Sequence, residues 1–208
     1  IMPDGRTLQV ASCHHYRDQW ARAFDVTYES ESGEQKFVHQ TTYGMSERLL
    51  GAIVATHGDD QGLIMPPSVA PIQVIVIPIM AKNSSEDMAS EAEKIVSKLK
   101  ESGIRARMDA RDIRPGQKYY DWEIKGVPLR IEIGPRDLAN DSFMCARRTG
   151  GKESHPLSNL VDIVNDELSS IGQEMSKKSK EHFNSCIQKL PSFSLDGDTL
   201  VFDESINT

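Results

Sequence analysis

The residues best suited to chemistry lie close together in Trp122-Glu-Ile-Lys-Gly-Val-Pro-Leu-Arg-Ile-Glu-Ile-Gly-Pro-Arg136-Asp137. Leu129, Ile131 and Ile133 alternate with Arg130 and Glu132, so a short strand would carry its charges on one face. Gly126 and Pro128 punctuate the approach to it. Cations and carboxylates gathered on one strand and its flanks suit a ligand that offers both hydrogen-bond acceptors and donors, as nucleotide bases do. Without a ligand, the same residues read as surface ion pairs across a sheet, which are worth little.

A second stretch, Thr41-Thr-Tyr-Gly-Met-Ser-Glu-Arg48, runs a strand through Gly44 into a helix that starts at Ser46. Arg48 then falls in the first helical turn, where a guanidinium and free backbone N–H groups can meet a phosphate together. An exposed helix arginine is the plain alternative. His14 and His15 are adjacent, and on a strand they point to opposite faces, so they do not share a metal ion. With no CxxC or HxxxH partner nearby, no metal site is expected. Asp59-Asp60 reads as an acidic linker. There is no Gly-x-Ser-x-Gly and no Walker loop, so no nucleophile or P-loop chemistry is indicated.

The elements that must position these residues fall into two styles. In the first, Thr7 to Cys13 alternates loosely. Phe24–Tyr28 and Lys36–Gln40 flank Glu31-Ser-Gly33 as an antiparallel hairpin. Residues 45–57 read as a helix closed by Gly58. The breakers from Gly58 to Pro67 read as a linker. Beyond them strands and helices alternate. Val74–Ile79 is a strand covered on both faces. Ser84–Ser102 is a helix capped by Ser84 or Ser85, with Asp87 in its first turn and Gly103 past its end. Ile104–Met108 is a strand, Pro115 opens a helix that Gly126 closes, and Pro128–Ile133 and Phe143–Arg147 are strands. A last helix begins near Pro156, with Leu157, Leu160, Val161, Val164, Leu168 and Ile171 on one face. The order β-α-β-α-β-β-α implies a mixed sheet with helices packed on it. The tail beyond Leu190 is weakly patterned around an Asp-Gly-Asp.

The 208 residues have a net charge of -7, which taken whole argues against a nucleic-acid partner. The distribution argues the other way. From Gly103 to Lys152 there are eleven Lys/Arg and seven Asp/Glu, a net of +4, which is consistent with a local phosphate-facing surface. The cysteines Cys13, Cys145 and Cys186 are far apart and odd in number, which excludes a disulfide framework and a cysteine-rich zinc site and points to a reducing, cytoplasmic setting. No apolar run is long enough to span a membrane. The chain begins in mid-motif and reads as a piece of something longer.

With these residues in view, the chain resembles the prolyl-tRNA synthetases of the archaeal/eukaryotic type, class II enzymes. The Trp122–Asp137 stretch is similar to the core of their anticodon-binding domain. The strand–Gly44–helix–Arg48 arrangement is similar to their motif 3. Pro3-Asp-Gly-Arg-Thr-Leu-Gln9-Val-Ala-Ser-Cys-His14 resembles the segment before it. It matches at Gln9 and His14 and departs at Ala11, Ser12 and Cys13, where the family has Gly, Thr and Ser. Ser12 keeps the hydroxyl.

The resemblance implies an α/β (α+β) fold. Residues 1–66 would be the C-terminal piece of an antiparallel catalytic sheet, 67–155 a mixed-sheet anticodon-binding domain, and 156–208 a C-terminal helix with the start of an extension. It implies ATP and proline contacts at Gln9, Ser12, His14, Gly44, Ser46 and Arg48, with Arg48 on the γ-phosphate as the catalytic residue. It implies contacts to the two central guanines of the tRNA(Pro) anticodon at Glu123, Arg130, Arg136, Asp137 and Lys152. Asp109-Ala-Arg111 and Pro115-Gly-x-Lys118 would shape the approach. Mg²⁺, a homodimeric whole enzyme and no membrane partner are implied as well. Without motifs 1 and 2, this stretch alone is expected to be inactive. A threonyl, histidyl or glycyl enzyme of the same subclass, or a non-catalytic RNA-binding derivative, are the other readings.

Overall fold

The computed structural model describes residues 1–79, 85–188 and 193–202. At the N-terminal end, β1 (Ala11–Arg17), α1 (Gln19–Phe24), β2 (Thr27–Glu29), β3 (Gln35–Phe37), β4 (Gln40–Met45) and α2 (Arg48–His57) follow in order. Hydrogen-bond partners decide where the strands fall. β1 lies later than its alternation suggests because it pairs antiparallel with β4, from Ala11 opposite Met45 to Arg17 opposite Gln40. That pairing also keeps Met45 in a strand, so the helix expected from residue 45 starts at Arg48. The expected hairpin forms, shortened to β2 and β3, with Gly33 turning it at φ +77°.

Only Ala21 is buried among residues 1–57. Trp20, Phe24, Tyr43, Met45 and Leu50 all stand exposed. A two-stranded ladder open on both faces is marginal by itself.

The second unit is built differently. β5 (Val74–Pro78), α3 (Ser85–Glu101), β6 (Ala106–Met108), α4 (Pro115–Ile124), β7 (Leu129–Ile133), α5 (Pro135–Ala139), β8 (Ser142–Arg147), β9 (Lys152–Pro156) and α6 (Leu160–Ser185) make one five-stranded sheet and its cover. The strand order is β6-β5-β7-β8-β9. β6, β5 and β7 are mutually parallel, while β8 and β9 are antiparallel to their neighbours. The chain steps one way from β5 to β6 and back past β5 to β7. Crossovers of the same hand therefore put α3 and α4 on opposite faces.

The packing agrees. Val74, Val76, Leu129, Ile131, Ile133, Phe143 and Cys145 face α3 and α6 in the main core, to which α6 contributes Leu160, Val164, Leu168, Ile171 and Met175. On the other face Ile75 and Ile77 meet Trp122 and Val127 around α4. Each such fully buried side chain contributes about 1.5–3 kcal/mol.

Besides α1, four elements lie outside the expected set. α5 is a single short helix after Gly134, β9 pairs with β8, and β10 (Phe193–Asp196) pairs with β11 (Thr199–Phe202) across Gly197 at φ +61°. Pairing of β9 as far as Pro156 also delays α6 to Leu160, after a 3-10 turn. The capping residue Ser84, and the side chains of Ser85 and Asp87, lie outside the described residues.

The stretch after α2 is more than a spacer. The Leu63 N–H donates to the Ile124 carbonyl at 3.0 Å, and the Met65 N–H to the Gly126 carbonyl at 3.1 Å. This seam runs main chain against main chain, so it demands glycine on both sides. A Cβ on Gly62 would come 2.6 Å from Ile124 Cα, and one on Gly126 would come 2.6 Å from Leu63 Cβ. Both glycines have positive φ, at +129° and +71°. We expect Gly62→Ala to lower stability by about 1–3 kcal/mol, read by urea unfolding. An unchanged midpoint would show that the seam does not hold the two units together.

Candidate nucleic-acid interface

α4 is short, and two polar clusters fasten it to the sheet. In the first, Asp109, 3% exposed, accepts from Arg111 and from the Trp122 indole at 2.7 Å each. Arg111 also reaches Asp121 on α4 at 2.7 Å. The Lys118 ammonium, itself buried, donates to the Asp109 carbonyl at 3.1 Å. Burial alone would raise the Asp109 carboxyl. Hydrogen bonds from Arg111 and Trp122 outweigh it and hold the group well below the usual carboxylate range. The segment expected to shape the approach is thus a packed joint between β6 and α4.

The second cluster lies where the strand pattern placed it. Arg130 and Glu132, two apart on β7, emerge on the α4 face of the sheet. Arg130 donates from NH1 to Glu123 at 2.8 Å and from Nε to Glu132 at 3.0 Å. Its guanidinium also stacks 4.0 Å over the Tyr119 ring. Glu132 further accepts from the Tyr119 hydroxyl at 2.7 Å and from Lys152 at 2.8 Å. Burial raises the Glu132 carboxyl, but the donors Lys152, Tyr119 and Arg130 bring it below its ordinary value. Burial and the Glu132 charge push the Tyr119 phenol up.

These are not loose surface pairs. The Glu132 side chain is 7% exposed and Arg130 16%, while Glu123 and Lys152 are 35% and 45% exposed. A buried carboxylate therefore anchors a row with a partly exposed carboxylate at one end and a partly exposed ammonium at the other. Glu132 and Tyr119 were missing from the expected contact residues. The signal for Glu132 was present, since residues two apart on a strand share a face. Tyr119 carried no comparable signal.

Arg136 and Asp137 sit apart from the row. Arg136 is exposed on α5 and makes no ion pair among the described residues. Asp137 Oδ2 accepts the Gly134 N–H at 2.8 Å and so caps α5. The basic segment is also less bare than its count suggests. Arg111, Arg130, Arg147, Arg148 and Lys152 are ion-paired.

The N-terminal contacts expected for ATP and proline lie on the β1–β4 ladder. Ser12 pairs opposite Gly44 and His14 opposite Thr42, which puts the four on one face; His15 points away. His14 stacks on Tyr16 with centroids 5.4 Å apart. Arg48, first residue of α2, donates to the Gln9 carbonyl at 3.2 Å, and the Arg48 N–H donates to Ser46 Oγ at 3.4 Å. Gln9, Ser46 and Arg48 are thereby brought together beside Ser12 and Gly44. Among the described residues no group of three His, Cys, Asp or Glu is placed to hold a metal.

Asp59 was read as a linker acid. The structure instead pairs it with Arg148, and that guanidinium lowers the carboxyl to about 2. No described helix is long and apolar enough to cross a membrane.

Comparison with known proteins finds a match for each of the two units. Residues 73–167 match the anticodon binding domain, and residues 1–57 match the tRNA synthetase class II core domain (G, H, P, S and T). The chain therefore belongs with the class II aminoacyl-tRNA synthetases. Within that class it is homologous to the proline–tRNA ligases. It is 49% identical to that of Thermococcus kodakarensis over 191 residues, covering 91% of this chain and 40% of that protein. It is 46% identical to those of Methanocorpusculum labreanum and Pyrococcus abyssi, again covering 39% and 40% of them. The chain thus spans about two-fifths of the length of these relatives.

Acid should unfasten the α4 face. Glu132 and Asp109 are held below their ordinary values of 4.5 and 3.8. A depressed carboxylate contributes stability above its ordinary value and loses it as pH falls toward the folded one. We expect the urea midpoint to be flat above about pH 5 and to fall below pH 4.5. Glu132→Gln should cost about 3 kcal/mol at neutral pH and flatten that acid slope. A slope unchanged by the substitution would exclude Glu132 as its source.

Proposed function

We propose that this chain supplies two working parts of a proline–tRNA ligase: contacts to ATP and proline from residues 1–66, and anticodon recognition from the α/β unit. That unit would comprise residues 67–155 with α6 completing its core, and an extension would follow to 208. The whole enzyme would activate proline with ATP in the cytoplasm and attach it to tRNA(Pro), as a homodimer.

The observation that carries the anticodon assignment is the pre-arranged row Glu123–Arg130–Glu132–Lys152. A guanine offers acceptors at O6 and N7 and donors at N1 and N2. The carboxylate of Glu123 suits the donors, and Arg130 or Lys152 suits the acceptors. Unstacked anticodon bases leave both edges open to such groups. Arg136, exposed on α5, is available to a base or a phosphate. Asp137 would act through the oxygen that its cap leaves free.

In adenylate formation the proline carboxylate attacks the α-phosphate of ATP and pyrophosphate leaves, so no protein nucleophile is required. The prolyl group then passes to the tRNA 3′ end. This chain's share is positioning and charge neutralisation. Arg48 would meet the γ-phosphate, with Ser46, Gly44 and Gln9 shaping its surroundings and Ser12 and His14 facing proline. Mg²⁺ would accompany ATP.

Two measurements test this reading. The 208-residue chain should bind an RNA stem-loop carrying two adjacent loop guanines in preference to its adenine counterpart. Arg130→Lys should weaken guanine binding by about 1–3 kcal/mol and leave adenine binding unchanged; equal weakening of both would assign Arg130 to the RNA backbone. The same chain should also show no proline-dependent pyrophosphate exchange. Exchange by this chain would show that the ATP site is complete within it.

A further inference from the structure

The end of α4 is gripped by a side chain that belongs to none of the proposed RNA contacts. Arg148 follows β8, and only 2% of its side chain is exposed. Its Nε donates to the main-chain carbonyl of Glu123 at 3.0 Å. Its NH1 and NH2 fork onto the two carboxylate oxygens of Asp59, at 2.9 Å on the Oδ2 side. Asp59 stands just past His57, the last residue of α2. The seam from Leu63 and Met65 then fastens the Ile124 and Gly126 carbonyls beside it.

The chemistry of this grip is specific. The last carbonyls of a helix carry negative partial charge, so the guanidinium is a favourable second donor to the Glu123 carbonyl, which already accepts the Gly126 N–H at 2.9 Å. A buried guanidinium in turn requires a carboxylate, because an unpaired charge at such depth costs several kcal/mol. Asp59 supplies it from the other unit. Glu123 therefore reaches outward from a main chain held by a pair whose two members lie 89 residues apart along the sequence.

A carboxylate that takes both N1 and N2 of a guanine tolerates a displacement of only about 0.5 Å. We propose that Arg148, clamped by Asp59, is a positioning residue for Glu123, so that guanine reading depends on how the segment leaving α2 is seated. This rests on the assignment of Glu123 as a base contact.

Asp59→Asn in the 208-residue chain is the test. It keeps the shape and one acceptor but removes the charge, at a side chain 43% exposed, and circular dichroism with urea unfolding establishes that the variant is folded. The probes are the stem-loop with two loop guanines and its adenine counterpart. We expect Asp59→Asn to reduce the guanine preference by about tenfold without changing adenine binding. In a Glu123→Gln background the same change should have no further effect on preference.

Equal loss for both RNAs, or the same loss of preference with and without Glu123, would make the clamp purely structural and overturn the inference. Absence of any guanine preference in the unsubstituted chain would instead overturn the assignment of Glu123, and the inference with it.

Discussion

Four ionised side chains, Asp109, Lys118, Glu132 and Arg148, are buried around one ten-residue helix. Taking an ion out of water costs several kcal/mol unless partners replace the water. Each of the four is answered by named partners, and nearly all of those partners touch α4 or the strand beneath it. The apolar contribution of α4 is small, resting on Trp122 with Tyr119 packed beside it. Polar fastening between Lys118 and Glu123 therefore fixes where the helix lies.

That dependence explains how one face of a sheet becomes a recognition surface. On the opposite face α3 and α6 cover a fully apolar core. On the α4 side the cover is partial, and Arg130, Glu132 and Lys152 occupy the remaining ground. Their mutual hydrogen bonds arrange them before any ligand arrives, which reduces the ordering cost of binding. The buried Glu132 holds the row, while the exposed ends at Glu123 and Lys152 present opposite chemistry to solvent. A partner with donors and acceptors on one edge would complete both ends.

The N-terminal unit is a contrast in energetics. Its β1–β4 ladder has the register that aligns Ser12, His14, Thr42 and Gly44, yet it buries almost nothing. The homology to proline–tRNA ligases covers 91% of this chain, although the chain spans only about two-fifths of those proteins. The seam at Gly62 and Gly126 and the Asp59–Arg148 pair join this unit to the better packed one.

Much of the α/β unit was legible in the sequence. Period-two alternation placed Arg130 and Glu132 on one face, and β-branched runs and helix caps marked β5, α4 and β7. Those signals are local, because backbone geometry alone sets which side chains share a face. The extents of β1 and β9, the start of α2 and the short α5 were not legible, since each depends on which distant group accepts a hydrogen bond. The same holds for function. The sequence by itself determined that charges of both signs would meet on β7, and it carried the family likeness. Only the tertiary structure decided that Glu132 is buried, that Lys152 and Tyr119 converge on it, and that Asp59 is a clamp on Arg148 rather than a linker acid. Burial and partner choice are properties of segments far apart in the chain, and no local pattern encodes them.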